Sequence, residues 1–438
     1  MVFKKLKDYF TNNINFRNHI SEFSQISKSK TGKDSIIVLF GNIFGAGLGF
    51  LASVLITRTL GPAQFGIFSI AMTVMMIVTQ FSDFGIGVSL VRFFSLFHKK
   101  DESRSNLVLK VALKFELIVA AFVFLVGFFS SEFLASYLFK QPILSLPLKL
   151  AFIGAFGMAM AAFLSAVLQA KQSFKQLTLV NLVIPAGKFV LIGFLFLIYR
   201  LNLLSALTAI IILPFIAFII NFLIIPKGFL KAKGDEKGSF KELFRFSKWI
   251  VISVFCCMMI DRLNVLMLGY FKTPEEVGHY SAAYTFAFIF PLITGAITTV
   301  LFPKISAISQ KDQLRKYVKK TIKFTLPIIF PVIILLFISR PLILFIYGPA
   351  YLPSATIFQI ILCGFALTVI ANPIGLAIYS LNKPEIPAYV NILQLILSFL
   401  GNLLLIPPYG AIGSAIVVLL VRLLGMTYMS IAVCNYSK

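Results

Sequence analysis

The sequence predicts an all-α, polytopic membrane protein: twelve transmembrane helices in two six-helix bundles that repeat one another in parallel. Three observations predict it. First, of 438 residues 59% are hydrophobic and 13% are charged, and the mean hydropathy is +0.94. Soluble domains run at roughly 45–50% apolar residues with glycine included, so this chain cannot hide its apolar surface in a water-soluble fold. Second, apolar runs close to the ~20 residues that a bilayer core requires recur along the whole chain. Third, short residue patterns recur at an offset of about 210 residues from one end of the chain to the other.

The elements follow in order. Residues 1–34 are polar and lysine-rich, without the apolar run of a cleavable signal, and read as a cytoplasmic tail. Leu6, Phe10 and Phe23 would allow a short surface helix there. Apolar spans are expected at 35–57, 66–94, 107–130, 147–170, 177–199 and 203–226, forming an N-terminal bundle, 35–226. A basic linker, 227–243, leads to a C-terminal bundle, 244–438. Its spans are expected at 244–270, 279–302, 321–339, 355–380, 385–406 and 411–434. Pro185, Pro214, Pro291, Pro327, Pro331 and Pro373 fall inside spans. Neighbouring helices can satisfy the carbonyls they free, so they do not break the pattern.

Charge fixes the sidedness. The chain carries 40 Lys+Arg against 16 Asp+Glu, a net charge of +24. Alternating sides from a cytoplasmic N-terminus places 28 basic residues in cytoplasmic segments, dominated by the N-tail, the 227–248 stretch and the 304–323 stretch. Only Arg58, Lys140, Lys149, Arg200, Lys272 and Arg340 fall in outer loops. Cationic loops resist translocation, so both termini are expected inside, in a cytoplasmic (inner) membrane. The basic excess is therefore topology, and the long apolar runs argue against nucleic-acid binding. The cysteines (Cys256, Cys257, Cys363, Cys434) and histidines (His19, His98, His279) show no metal-ligand spacing, so no metal site and no cofactor are expected.

The repeat is legible residue by residue. Gly66-Ile67-Phe68-Ser69-Ile70-Ala71 matches Gly278-His279-Tyr280-Ser281-Ala282-Ala283 as Gly, any residue, aromatic, Ser, any residue, Ala, at an offset of 212. Lys100-Asp101-x-x-Arg104 recurs as Lys311-Asp312-x-x-Arg315, Asn181-Leu182 as Asn391-Ile392, and Ser205-Ala206 as Ser414-Ala415. Six helices per half bring both halves into the membrane from the same side. The pseudo-two-fold axis then lies along the membrane normal, as in secondary transporters whose bundles rock about a central site. The Leu60-Gly61-Pro62 turn reads as a helix-setting device, and Gly41, Gly45 and Gly49 as a ridge for close helix packing.

The run Thr57-Arg58-Thr59-Leu60-Gly61-Pro62-Ala63-Gln64-Phe65-Gly66-Ile67-Phe68-Ser69-Ile70-Ala71 resembles the signature of polysaccharide exporters and O-antigen flippases. Pro274 to Ala283 looks similar to its partner motif, and Leu301-Phe302-Pro303-Lys304 resembles the end of the eighth helix in that family. The superfamily includes multidrug and toxin extrusion (MATE) transporters and the lipid II flippase. The resemblance implies a V-shaped, MATE-like pair of bundles. It implies flipping of a polyprenyl-pyrophosphate-linked oligosaccharide to the outer leaflet for surface polysaccharide biosynthesis. It also implies work beside a polysaccharide polymerase and chain-length machinery. The 34-residue polar lead is longer than the family pattern.

Nine ionisable residues lie within the spans: Asp83, Arg92, Lys110, Lys114, Glu116, Lys188, Asp261, Arg262 and Arg422. Each costs about 2.5–3.5 kcal/mol at mid-helix on insertion scales, so each needs a reason. Lys110 and Lys114 lie near cytoplasmic ends, where long side chains snorkel to water. Glu116 reads as the partner of a nearby cation. Lys188, Arg262 and Arg422 have uncharged repeat counterparts, so architecture does not explain them. They are candidate cavity cations for a pyrophosphate, with Arg92 a fourth that can equally snorkel. Asp83 and Asp261 are candidates for coupling to Na+ or H+. Asp261 is alternatively half of an ion pair with Arg262, although consecutive helix residues do not face each other. Gly85 and Gly87 suggest an irregular helix beside Asp83.

An enzyme fits poorly. Outer loops offer only Glu132, Glu275 and Glu276 as acids, and no phosphate-binding loop is present. A drug or cation antiporter of the same superfamily is the nearer rival. It calls for a net acidic site, whereas the spans hold six basic and three acidic residues.

Overall fold

The computed structural model describes residues 30–97, 101–291, 294–295, 298, 305, 311–380 and 385–437. Almost all of these are helical, and no strand occurs among them. That is the solution apolar surroundings impose, because a helix satisfies its backbone polar groups internally. The α-helices in chain order are α1 (Lys30–Asp83), α2 (Ile86–Phe97), α3 (Glu102–Phe133), α4 (Ser145–Ala170), α5 (Phe174–Leu197) and α6 (Leu203–Ile224). After a basic connection come α7 (Glu236–Phe271), α8 (Pro274–Ala287), α9 (Lys311–Thr325), α10 (Ile329–Tyr347), α11 (Ser354–Ser380) and α12 (Glu385–Ser437). Nine stretches among the described residues are long and apolar enough to cross a membrane, so the chain is a multi-pass membrane protein.

Two of those stretches are doubled. Gly61 (φ 71°) breaks α1 into legs 30–60 and 62–83, and Gly410 (φ 55°) breaks α12 into legs 385–409 and 411–437. Left-handed backbone is open to glycine at little cost, and Pro62 after Gly61 starts the next leg. The turn at 410 is held by Glu276, whose carboxylate accepts the Ala411 N–H at 3.0 Å.

Several boundaries move. Helix begins at Lys30 rather than 35. The span expected at 66–94 bends at Phe84 and Gly85, with φ of 43° and 66°, before α2 begins. The span expected at 321–339 continues to Tyr347, because residues 342–346 are apolar and extend the helix past Pro341. Arg340, expected in an outer loop, is thus an exposed residue on α10. Pro327 opens a single tight turn between α9 and α10. Residues 1–29, Leu301 to Lys304, and most of the 279–302 span beyond Pro291 lie outside the described residues.

The glycine ridge works as close packing. Gly41 faces Thr178, and Gly45 faces Leu182 and Pro185, so the first leg of α1 lies directly on α5. Helix α1 also packs on α4 and α8, α2 on α3, α4 and α7, and α12 on α7 and α11. The turns near 61, 140, 201, 273, 349 and 410 gather on one face, here the upper face. They touch one another there: Tyr351 donates its hydroxyl to the Thr57 carbonyl at 2.8 Å, and Gln141 donates to the carbonyls of Gly269 and Lys272. The loops near 101, 172 and 233 gather on the opposite, lower face.

Candidate functional site

The two copies of the glycine motif meet at the upper face. A methyl group built on Gly66 would fall on the Pro274 carbonyl, and one on Gly278 would fall on the Pro62 carbonyl. Pro62 and Gly66 map onto Pro274 and Gly278 by the same offset of 212, so these contacts are images of one another. Apolar clusters seal the surroundings: Ile67 and Ile70 pack among Val277, Tyr280 and Tyr284, while Ala282, Tyr347 and Tyr351 pack among Phe65 and Phe68.

Beneath this closure lies a cavity of about 300 Å³, lined by Met76, Thr79, Gln80, Met158, Met258, Asp261, Arg262 and Phe288. Both halves of the chain contribute walls. A second space of about 160 Å³ shares Gln80 and continues past Phe81, Gly85 and Phe255. At the lower face the halves touch again. The Ser89 and Ser247 hydroxyls are 2.7 Å apart, and Ser247 also reaches the Gly85 carbonyl at 3.5 Å. Arg104 bonds Glu242 at 3.1 Å, and Lys114 and Lys110 clamp Glu236 at 2.7 and 3.0 Å. Hydrogen bonds from Lys114 first, then Lys110, hold the exposed Glu236 carboxyl below its ordinary range.

The nine intramembrane charges separate into groups. Asp261 and Arg262 line the cavity, and Arg422 reaches Asp261 from α12. The Asp261 partner is Arg422, at 2.9 Å, and not its neighbour Arg262, because consecutive helix residues point in different directions. Arg422 also donates to Thr368 at 3.2 Å and stacks 4.3 Å from the Phe365 ring centroid. Arg262 has no ion pair or hydrogen bond among the described residues and stands as a free cation in the cavity wall. Lys188 lies apart, on α5, donating to the Ser53 hydroxyl at 2.8 Å. Ser53 donates its own hydroxyl hydrogen bond to the Gly49 carbonyl, which leaves its oxygen free to accept. Arg92 is exposed on α2, with its guanidinium 5.8 Å from the Phe93 ring centroid.

Asp83 ends the second leg of α1, and its carboxylate accepts the Gly87 N–H at 3.0 Å. It thereby caps the restarted helix α2. The expected partner for Glu116 is absent among the described residues: Lys110 and Lys114 point to Glu236, and both Glu116 oxygens are buried without a hydrogen bond. Lys114, two positions away, necessarily faces another side of α3. Thr79 and Gln80 were not singled out from the sequence, although a Gln inside an apolar span is as visible there as a charge.

The family profile described as polysaccharide biosynthesis protein matches residues 55–356. A Haloferax volcanii protein designated a low-salt glycan biosynthesis flippase, Agl15, is 24% identical over 88% of this chain and 79% of its own length. A lipopolysaccharide biosynthesis protein of Escherichia coli, WzxC, is 22% identical over 86% of this chain and 75% of its own. Among solved structures, the lipid II flippase MurJ in an inward closed conformation superposes with a TM-score of 0.75 at 16% identity, over 91% of this chain and 87% of its own. An inward-facing multidrug resistance MATE transporter does so at 0.73 and 11% identity, over 89% and 95%.

Proposed function

The chain belongs to the polysaccharide biosynthesis protein family, and on that premise we propose that it is a flippase. It moves a polyprenyl-pyrophosphate-linked oligosaccharide from the cytoplasmic to the outer leaflet, for surface polysaccharide assembly. Its relatives are flippases and transporters rather than enzymes. The observation that carries the reading is Arg262: a cation with no carboxylate partner among the described residues, in a cavity walled by both halves and closed above by the Gly66–Pro274 and Gly278–Pro62 contacts. A guanidinium offers paired donors to a phosphate, and each charge-assisted bond is worth about 1.5–3 kcal/mol. The apolar methionines around it suit a prenyl chain or a sugar face, and Gln80 and Thr79 can hydrogen-bond hydroxyls.

The architecture in this reading has twelve spans. The Gly61 and Gly410 breaks turn two long helices into four crossings, and α9 with α10 forms one. Bundles 35–226 and 244–438, joined by 227–243, then rock about the cavity by alternating access. The upper face is outside, both termini are cytoplasmic, and the membrane is the inner one. Inward or outward cation flow, of Na+ or H+, resets the carrier, with Asp83 and Asp261 as the acids available. Lys188 and Arg92 add positive charge along the path, while Arg422, the other candidate cation, is engaged by Asp261. Polymerase and chain-length machinery act on the delivered product. A cation antiporter fits less well, since Arg422 neutralises Asp261 and leaves the cavity wall positive.

The test is deletion in the host, followed by analysis of lipid-linked glycans. A cytoplasm-facing intermediate should accumulate, and Arg262→Ala should fail to clear it while reaching normal membrane abundance. The loss of one such contact corresponds to roughly ten- to a hundredfold in transport. Unchanged glycans with altered drug sensitivity would reverse the reading in favour of the antiporter.

A further inference from the structure

Glu116 is the most isolated polar group among the described residues. It lies midway along α3 with no accessible surface, and neither carboxyl oxygen has a hydrogen-bond partner. Ala112 and Ala120, one turn on either side, are buried in apolar clusters with Phe163, and with Ala159 and Met160. Asp83 lies close by: the next residue, Phe84, meets Phe115, the neighbour of Glu116, with ring centroids 6.2 Å apart. No ion pair reaches either acid among the described residues. Asp83 ends the second leg of α1 at the bend before α2, where Phe84 takes a left-handed conformation (φ 43°) that a bulky residue adopts only under constraint. The next residue, Gly85, offers its carbonyl to Ser89 and to Ser247 across the lower face.

We propose that Asp83 and Glu116 form a proton-binding site, and that its occupancy sets the bend through which the lower face opens and closes. A bare carboxylate with no donor and a like charge beside it is far costlier to bury than the neutral acid. The proton is the cation that fits, because it needs no further ligands. A sodium ion would require several more oxygens than these two carboxyls present. The step is simple: bulk water delivers a proton to one carboxylate, which becomes a neutral acid, and the same proton returns to bulk. With both acids charged, repulsion falls on Asp83, the cap of α2. That strains the Phe84–Gly85 bend and the Ser89–Ser247–Gly85 contact beside it. The link to transport rests on the alternating-access reading above, whereas the binding site itself does not.

The test uses the purified full chain in liposomes. Infrared difference spectra on pH steps between about pH 5 and about pH 9 should show a protonated carboxyl C=O stretch that is lost in Glu116→Gln and kept in Asp261→Asn. Glu116→Gln preserves shape without charge, so its folding can be verified by thermal unfolding, and Glu116→Asp should restore a shifted band. Absence of any Glu116-dependent band overturns the site. Loss of the band on adding NaCl at fixed pH overturns the proton in favour of sodium. For the coupling, disulfide yield between Ser89→Cys and Ser247→Cys, in a background without native cysteines, is compared with and without Glu116→Gln, because thiol oxidation itself depends on pH. The ratio of the two yields should change about fivefold or more with pH. A ratio that ignores pH overturns the coupling. Both readouts are independent of glycan flipping, so failure of the flippase reading leaves them intact.

Discussion

Arg422 and Arg262 carry the same charge and divide its uses between them. Arg422 spends its guanidinium on Asp261, Thr368 and the Phe365 ring, and its side chain is 18% exposed against 43% for Asp261. That geometry is structural. Removing Arg422 leaves a carboxylate that still touches water, so the cost falls below the 3–5 kcal/mol of a fully buried pair. We expect Arg422→Ala to lower stability by about 1–3 kcal/mol and Asp261→Asn by less. A double-mutant cycle in thermal unfolding should return a favourable coupling energy. Arg422→Lys should recover only part, because an ammonium neither forks nor stacks as a guanidinium does. Arg262→Ala should leave stability nearly unchanged while removing transport. The presence of costly charges in apolar spans was legible in the sequence. Their pairing was not, since Asp261 and Arg422 lie 161 positions apart on α7 and α12. The misassigned partner of Glu116 has the same origin: Lys114 is near in sequence but turned elsewhere, to Glu236.

Among elements, the reciprocal glycines set how closely the second leg of α1 and α8 approach. Each contact puts a carbonyl where any side chain would have to be. Gly66→Ala or Gly278→Ala forces the helices apart, at about 1–3 kcal/mol for overpacking. That free energy bears on the closed upper face alone, so it converts to a population shift of roughly 5- to 150-fold toward the state with that face open. The measurement is modification of a cysteine at Ala282, which is fully buried in the closed state, by an impermeant thiol reagent applied from outside. Its rate should rise in both glycine variants alike, because the contacts are two-fold images. The motif and its offset of 212 could be read in the chain. That the two copies touch could not, since a repeat fixes correspondence without fixing distance. The lower face is held differently, by the Glu236 clamp. Its carboxyl titrates below its unfolded value of about 4.3. The clamp is therefore fully present above that value and is lost only as pH falls through the folded-state value. Glu236→Gln should thus leave the pH response between about pH 5 and about pH 9 unchanged. Raising salt should weaken the clamp in the parent, as exposed pairs are screened.

At the scale of the whole molecule, apolar content and the alternation of basic loops were sufficient to foresee an all-helical membrane protein, because lipid leaves few alternatives. Where helices end was less legible. Arg340 marks the error, an exposed charge that the apolar run at 342–346 carries onto α10. The same alternation makes the last prediction. The upper-face turns carry Lys140 and Lys272, and the lower face carries Lys237, with Lys320 on α9. In the proposed orientation the lower face belongs to the cytoplasm, because basic segments stay on the side where they are made. In a chain freed of its four cysteines, Lys140→Cys and Lys272→Cys should react with an impermeant thiol reagent in intact cells. Lys237→Cys and Lys320→Cys should react only after permeabilisation. Twelve crossings require this pattern with both termini inside. An even number of crossings between Lys140 and Lys320, differing by one from the odd count expected, would place Lys320→Cys outside. Labelling of that single position in intact cells would therefore break the proposed parallel repeat.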